Sequence, residues 1–250
     1  SRGLGDVYKR QDISFATYNE PNLDDTFQEK LQLLTSMGFM YEHISNGSMI
    51  TTDLTDWLIK YPQNIKQFRL NIPTLDEKKW KDITGSSVAV MYRMFYQLHY
   101  LFERASQLNF GITVIVNGDG SEDHKQEFQK VYQKFQHTKN ISFSMTGLID
   151  RAGTLEGAEC ETQKLPTGAI DWGDVPLRCN AGYFDNLYFG IKGNVFYCCH
   201  DYHQDYSCGN IHETPLLQLL NSDNYHKQKE RFMHDFCRKC EQARPLQIVN

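Results

Sequence analysis

No cysteine occurs in the first 159 residues of this 250-residue chain; all seven lie at Cys160 or beyond. That asymmetry removes a disulfide framework from the N-terminal part and concentrates any thiol chemistry in the C-terminal part. No apolar run approaches the roughly 18 residues needed to cross a bilayer as a helix, which argues against a membrane span. An excess of either charge is lacking too: the formal net charge is −5, with 23% charged and 40% hydrophobic residues, a soluble globular composition with no electrostatic footprint for nucleic acid. No secretory signal precedes the cysteines, which favours a reducing, cytoplasmic setting over disulfides. No internal repeat or low-complexity tract is visible, and no nucleophile or His-rich constellation marks a zinc-ribbon-bearing hydrolase.

The first eleven residues read differently from the rest. Asp6-Val7-Tyr8-Lys9-Arg10-Gln11 is the translation of GAT GTG TAT AAG AGA CAG, which resembles the transposon end used in sequencing libraries. Residues 1–11 are therefore set aside as an adapter-like scar, with the expectation that the chain is a fragment whose N-terminus has been cut away.

From residue 12 to 147 short β-branched or aromatic runs alternate with helical stretches, the pattern of an α/β fold with parallel strands. Strands are expected at 13–17, 41–44, 67–70, 112–116 and 141–145. Phe27, Leu31, Leu34 and Met37 recur at helical spacing, with Asp24 as N-cap and Gly38 as stop. Leu54, Trp57 and Leu58 mark a second helix. Residues 88–108 form the longest one, its apolar face made by Met91, Phe95, Leu98 and Phe102. The charged stretch 121–137 is expected to bury Phe128, Val131 and Phe135. Polar residues follow each strand, and in barrel-like folds such strand ends converge on one ligand face. For Asn117 to Gly120 ordinary turn chemistry is the better reading.

The C-terminal cysteines organise the chain. Cys237-Arg238-Lys239-Cys240 places two sulfurs on one tight turn, and Cys179 and Cys198 can complete a four-thiolate site. Residues 186–197, with Gly190 and Gly193 at their centre, read as a hairpin returning Cys198 toward Cys179. A helix carrying Leu216, Leu217, Leu219 and Leu220 is expected to start at Thr214-Pro215, an N-cap followed by proline. Spacing alone leaves structural zinc and an iron–sulfur cluster both open. Cys199 is an alternative to Cys198, Cys208 reads as a redox-active thiol or a structural residue, and His200 and His203 flank the region as neighbours or surface residues.

Cys179, then Gly193-Asn194-Val195-Phe196-Tyr197-Cys198, then Gly209-Asn210-Ile211, then the CxxC, together resemble the auxiliary-cluster region of radical SAM enzymes of the SPASM and twitch type. No cysteine follows Cys240, so the resemblance is to the shorter twitch form with one [4Fe–4S] cluster held by Cys179, Cys198, Cys237 and Cys240. Asn19-Glu20-Pro21 resembles the "GEP" step that holds the amino group of S-adenosylmethionine (SAM), with asparagine in place of glycine. Ser45-Asn46-Gly47 is similar to the turn beside SAM, Asn71 to the polar residue near its ribose or carboxylate, and Arg151 to the post-barrel arginine near that carboxylate.

The resemblance implies a partial (β/α)6 TIM-like barrel lacking its first strand (residues 12–155), followed by a small α+β cluster domain (156–250). It implies an intact parent with a second [4Fe–4S] cluster on a CxxxCxxC loop, a motif absent from this chain, which alone is expected to be inactive. It also implies a reductant such as flavodoxin or ferredoxin and an unspecified peptide, sugar or small-metabolite substrate. The rival reading is a non-catalytic iron–sulfur or zinc protein whose α/β part binds a partner.

Overall fold

The structure, a computed structural model, describes residues 12–15, 20–74, 76–118, 121–147, 175–180, 182, 186–240 and 242–246. The chain divides into two compact units, Ser1–Leu148 and Ile149–Asn250. The boundary expected at 155/156 falls outside the described residues.

The first unit is built on five strands, β1 (Asp12–Ser14), β2 (Met40–Ser45), β3 (Ile65–Ile72), β4 (Ile112–Gly118) and β5 (Ile141–Gly147). They form one sheet in sequential order, and every neighbouring pair is parallel. Helices α1 (Phe27–Ser36), α2 (Thr52–Lys60), α3 (Glu77–Thr84), α4 (Val88–Arg104) and α5 (Glu122–Phe135) fill the crossovers. Right-handed crossovers between sequential strands put all helices on one face, as in a barrel arc, so the α/β class and the partial barrel fit this topology. Burial follows the same division: Tyr41, His43, Phe68, Leu70, Ile72, Ile112, Val114 and Val116 are buried, while the alternate residues Glu42, Gln67, Arg69, Asn71, Thr113 and Asn117 are half-buried. A parallel sheet usually buries both faces in apolar residues; here the second face is mostly polar, with Ile44 and Ile115 as apolar members, which leaves polar groups to line a ligand.

All five expected strands are present, with ends shifted by up to a few residues; the expected end of the first, at Thr17, lies outside the described residues. Three helical details differ from expectation. Asp24 does not cap α1 directly: its carboxylate takes Thr26 N and Oγ1, and its carbonyl takes Phe27 N, so it fixes the turn leading into the helix. The long helix stops at Arg104 and tightens into a 3-10 turn, Ala105–Gln107. On α5, Phe128, Val131 and Phe135 are only half-buried, and the fully buried positions are His124 and Glu127. Those two are tolerated inside because they are hydrogen-bonded: His124 Nε2 to Val116 O at 3.0 Å, and Glu127 Oε2 accepting from Thr74 Oγ1 at 3.1 Å.

The second unit is small. Strand β6 (Leu177–Cys179) pairs antiparallel with β10 (Ala243–Pro245), and β7 (Tyr188–Phe189), β8 (Asn194–Phe196) and β9 (Gly209–Asn210) form a three-stranded sheet. The expected start at Thr214 is shifted: Pro215 occupies the cap position of α6 (Leu216–Leu220), and Leu217 is exposed. A second helix, α7 (Asp223–Asp235), capped by Ser222 Oγ accepting from Tyr225 N, leads into the CxxC. No helix among the described residues is long and apolar enough to cross a membrane.

Candidate metal centre and strand-end site

Three chain segments deliver the cysteines. Cys179 ends β6 directly opposite Ala243, and Asn180 N donates to Gln242 O at 2.8 Å, which ties this end to the chain just past the CxxC. Cys237–Lys239 forms a 3-10 turn closed by Cys240 N to Cys237 O at 3.2 Å. The β7–β8 hairpin turns at Gly190 and Gly193, then carries Cys198 inward. Gly193 sits at φ +81°, and a Cβ there would lie 2.5 Å from the His212 ring, so both conformation and space demand glycine. Gly209, at φ +150°, leaves room for Leu219 in the same way.

Cys179, Cys198, Cys237 and Cys240 line one cavity of about 50 Å³, walled by Leu177, Phe232, Phe236 and Ala243. Cys199 and Cys208 are not among its lining residues. Cys208 is buried, with its thiol on Val195 O at 3.2 Å, a structural contact. Cys160 lies outside the described residues, and among the described residues the other six cysteines form no disulfide. Burial, with the charge of Cys179 beside it, pushes the Cys237 thiol up to about 12. Contact with Cys199 raises Cys198, and burial adds to it. Both shifts favour the protonated thiol at Cys198 and Cys237, so binding a metal there releases protons. Two backbone amides already point at sulfur: His200 N at Cys198 Sγ and Gln242 N at Cys240 Sγ, each at 3.4 Å.

A single tetrahedral ion needs thiolates about 3.8 Å apart, whereas a cubane spreads them roughly 6 to 7 Å. Among the described residues no three His, Cys, Asp or Glu side chains close on a point as ligands of one ion do. The four thiols line one apolar cavity, a donor set that fits a thiolate-bound cluster.

In the first unit the structure joins three of the expected SAM-site residues. Glu20 caps the 3-10 turn Pro21–Leu23, with Pro21 buried at its first position. Glu20 Oε1 accepts from Asn22 N at 3.2 Å, Asn22 Nδ2 at 2.6 Å and Ser45 Oγ at 2.8 Å, and Oε2 accepts from Asn46 N at 2.7 Å. The loop after β1 is thereby clamped to the turn after β2. Ser45 Oγ in turn accepts from Gly47 N at 2.9 Å. Asn71 stands on the polar sheet face, in register with Ile115. Asn19 and Arg151 lie outside the described residues.

Sequence reasoning missed Asn22 and His43. His43 is 1% exposed and packed between the rings of Phe27 and Phe68 at 5.0 and 4.5 Å. The Asn22 amide must aim its nitrogen at Glu20, because its oxygen would repel the carboxylate. That nitrogen also lies 3.1 Å from Ser45 Oγ and 3.3 Å from His43 Nε2, so the buried ring borders the same polar cluster. The only signal in the sequence was a histidine in the inward-facing phase of an otherwise ordinary strand.

With this geometry in view, the comparisons are specific. Residues 179–241 match the iron–sulfur cluster-binding domain called SPASM. A sequence comparison with curated proteins finds no match. Among solved structures, Streptococcus suis SuiB bound to precursor peptide SuiA aligns with 85% of this chain at TM-score 0.55 and 12% identity. A histidine-tagged anSMEcpe with bound AdoMet aligns with 92% at TM-score 0.55 and 15% identity. At such identities the likeness is one of fold. The chain spans 54% of the SuiB chain, 69% of the anSMEcpe chain and 43% of a TYW1 chain with a lysine-pyruvate adduct.

Proposed function

We propose that this chain belongs to a radical SAM enzyme, with an auxiliary [4Fe–4S] cluster in its SPASM domain. The observation that supports this most is the meeting of Cys179, Cys198, Cys237 and Cys240 around one apolar cavity inside the SPASM match. When bound, SAM and its cleaving cluster supply a 5′-deoxyadenosyl radical for hydrogen abstraction, and the auxiliary cluster supplies a one-electron relay. With four cysteine ligands the auxiliary site keeps no open iron, which favours the relay role over substrate ligation.

The chain's own contribution is orientation. Among the described residues the Oε2 atom of Glu20 has the donor Asn46 N and retains capacity for the SAM amino group, while Oε1 takes three donors that hold the carboxylate still. Asn71 offers an amide from the polar sheet face toward the ribose or carboxylate, and Asn19 and Arg151 complete the proposed set. The substrate is a peptide, sugar or small metabolite bound over that polar face, and a flavodoxin- or ferredoxin-type reductant in the cytoplasm delivers electrons.

SAM cleavage needs an iron with free coordination positions, and no CxxxCxxC is present here to provide one. The 250-residue chain with its auxiliary cluster loaded is expected to produce no 5′-deoxyadenosine under anaerobic reduction. A version extended at its N-terminus by a strand and a CxxxCxxC loop is expected to produce it, with Glu20→Ala in that version weakening SAM use about tenfold or more. Chromatographic detection of 5′-deoxyadenosine from the unextended chain would show that the chemistry has been assigned to the wrong cluster.

A further inference from the structure

His200 follows the paired cysteines and is 3% exposed. Its backbone N–H is the donor to Cys198 Sγ, and its ring Nδ1 lies 3.8 Å from Cys240 Sγ. One residue thus touches two of the four cavity thiols, which come from separate segments of the chain. Its backbone is held by consecutive turns: Asp201 N to Cys198 O at 3.1 Å, Tyr202 N to His200 O at 2.8 Å and Gln204 N to Asp201 O at 3.1 Å. The Asp201 side chain, 1% exposed, closes the loop by accepting from Asp205 N and Tyr206 N at 3.0 and 3.1 Å. His203, by contrast, is exposed.

We infer that His200 is a positioning residue of the auxiliary cluster, whose Nδ1–H donates to the Cys240 sulfur and raises the cluster's reduction potential. The inference rests on the reading of this cavity as an iron–sulfur site. Once Cys240 is a thiolate ligand its sulfur can only accept, so the ring nitrogen facing it must carry the proton. A hydrogen bond to an ionised acceptor is shorter and stronger than one to a neutral thiol, so the contact tightens on loading. Reduction adds an electron whose charge spreads onto the cysteine sulfurs, and a donor there stabilises the reduced form more than the oxidised one. A carboxylate buried one residue away does not cancel this, because both Asp201 oxygens are turned to amides of its own loop.

The test reconstitutes the whole chain anaerobically with iron and sulfide and titrates the cluster's potential in the unsubstituted protein, His200→Phe and His200→Gln. His200→Phe, which keeps the ring volume and loses the donor, is expected to reduce less readily by about fivefold to tenfold. A tenfold change is about 59 mV for one electron. His200→Gln, with an amide donor, is expected to fall between. Iron and sulfide content should stay level across the three. An unchanged potential in a fully loaded His200→Phe protein overturns the role of His200 and leaves the cluster standing. Failure of the unsubstituted protein to take up iron and sulfide overturns the cluster reading itself. Should His200→Phe fail to fold, pulsed electron paramagnetic resonance of the reduced, 15N-histidine-labelled protein decides the matter. A weak histidine-nitrogen coupling is expected, and its absence is contrary.

Discussion

Alanine in place of Cys237 or Cys240 is expected to abolish the cluster: iron bound after anaerobic reconstitution should drop to below about a tenth of the unsubstituted level, with the visible absorption gone. The two residues sit on one 3-10 turn and supply half the thiols of the cavity, so losing either leaves an iron without its sulfur inside apolar walls formed by Phe232 and Phe236. Cys179→Ala should behave likewise, because the pairing of β6 with β10 sets Cys179 opposite Ala243, at the wall of the same cavity. Cys199→Ala and Cys208→Ala should keep the chromophore. Cys208→Ala should lose about 1 kcal/mol of stability for the buried thiol and its contact to Val195. Iron analysis together with ultraviolet–visible spectra separates these groups. Loss of the cluster in Cys199→Ala with retention in Cys198→Ala would reverse which of the adjacent residues is the ligand.

A drop in pH from 7 to 4 is expected to weaken the first unit by about 2 to 4 kcal/mol through His43 alone. Burial between Phe27 and Phe68 depresses this histidine from 6.5 to about 3. The unfolded chain therefore takes up a proton near pH 6.5 while the folded one stays neutral. Stability from this source is whole above pH 6.5 and falls as pH is lowered toward 3. Urea unfolding at several pH values checks it against His43→Leu, which keeps an apolar filler and cannot titrate. The difference in unfolding free energy between the two proteins should change across pH 7 to 4 by the stated amount. A constant difference would mean that His43 protonates as readily in the fold as outside it.

What could be read in the sequence was whatever is encoded locally. The five strands are short apolar runs bracketed by Asn, Gly and Pro, and that punctuation survives any tertiary context. The hairpin at Gly190 and Gly193 and the CxxC turn are equally local, so the four-thiol arrangement could be anticipated from spacing. The inward facing of Cys198 rather than Cys199 could not, since adjacent residues differ only in which side of the chain they occupy. The misread stripe of α5 has a distant cause: Glu127 and His124 are buried because Thr74 and Val116, more than fifty and eight residues away respectively, offer partners. The Glu20 carboxylate was recognisable by its motif, but two of its donors come from the next strand's turn, 25 and 26 residues on. Asn22 and His43 were invisible for the same reason, since nothing in the order of residues says that the loop after β1 packs on β2.

The account turns on what fills the cavity between Cys179, Cys198, Cys237 and Cys240. Anaerobic reconstitution of the 250-residue chain with iron and sulfide, followed by metal and sulfide analysis and Mössbauer spectroscopy, addresses it directly. The predicted result is about four irons and four sulfides per chain, a cubane spectrum with no site-differentiated iron, and a broad visible band that dithionite bleaches. Stoichiometric zinc in protein purified without oxygen, with no such band and no uptake of sulfide, would contradict it.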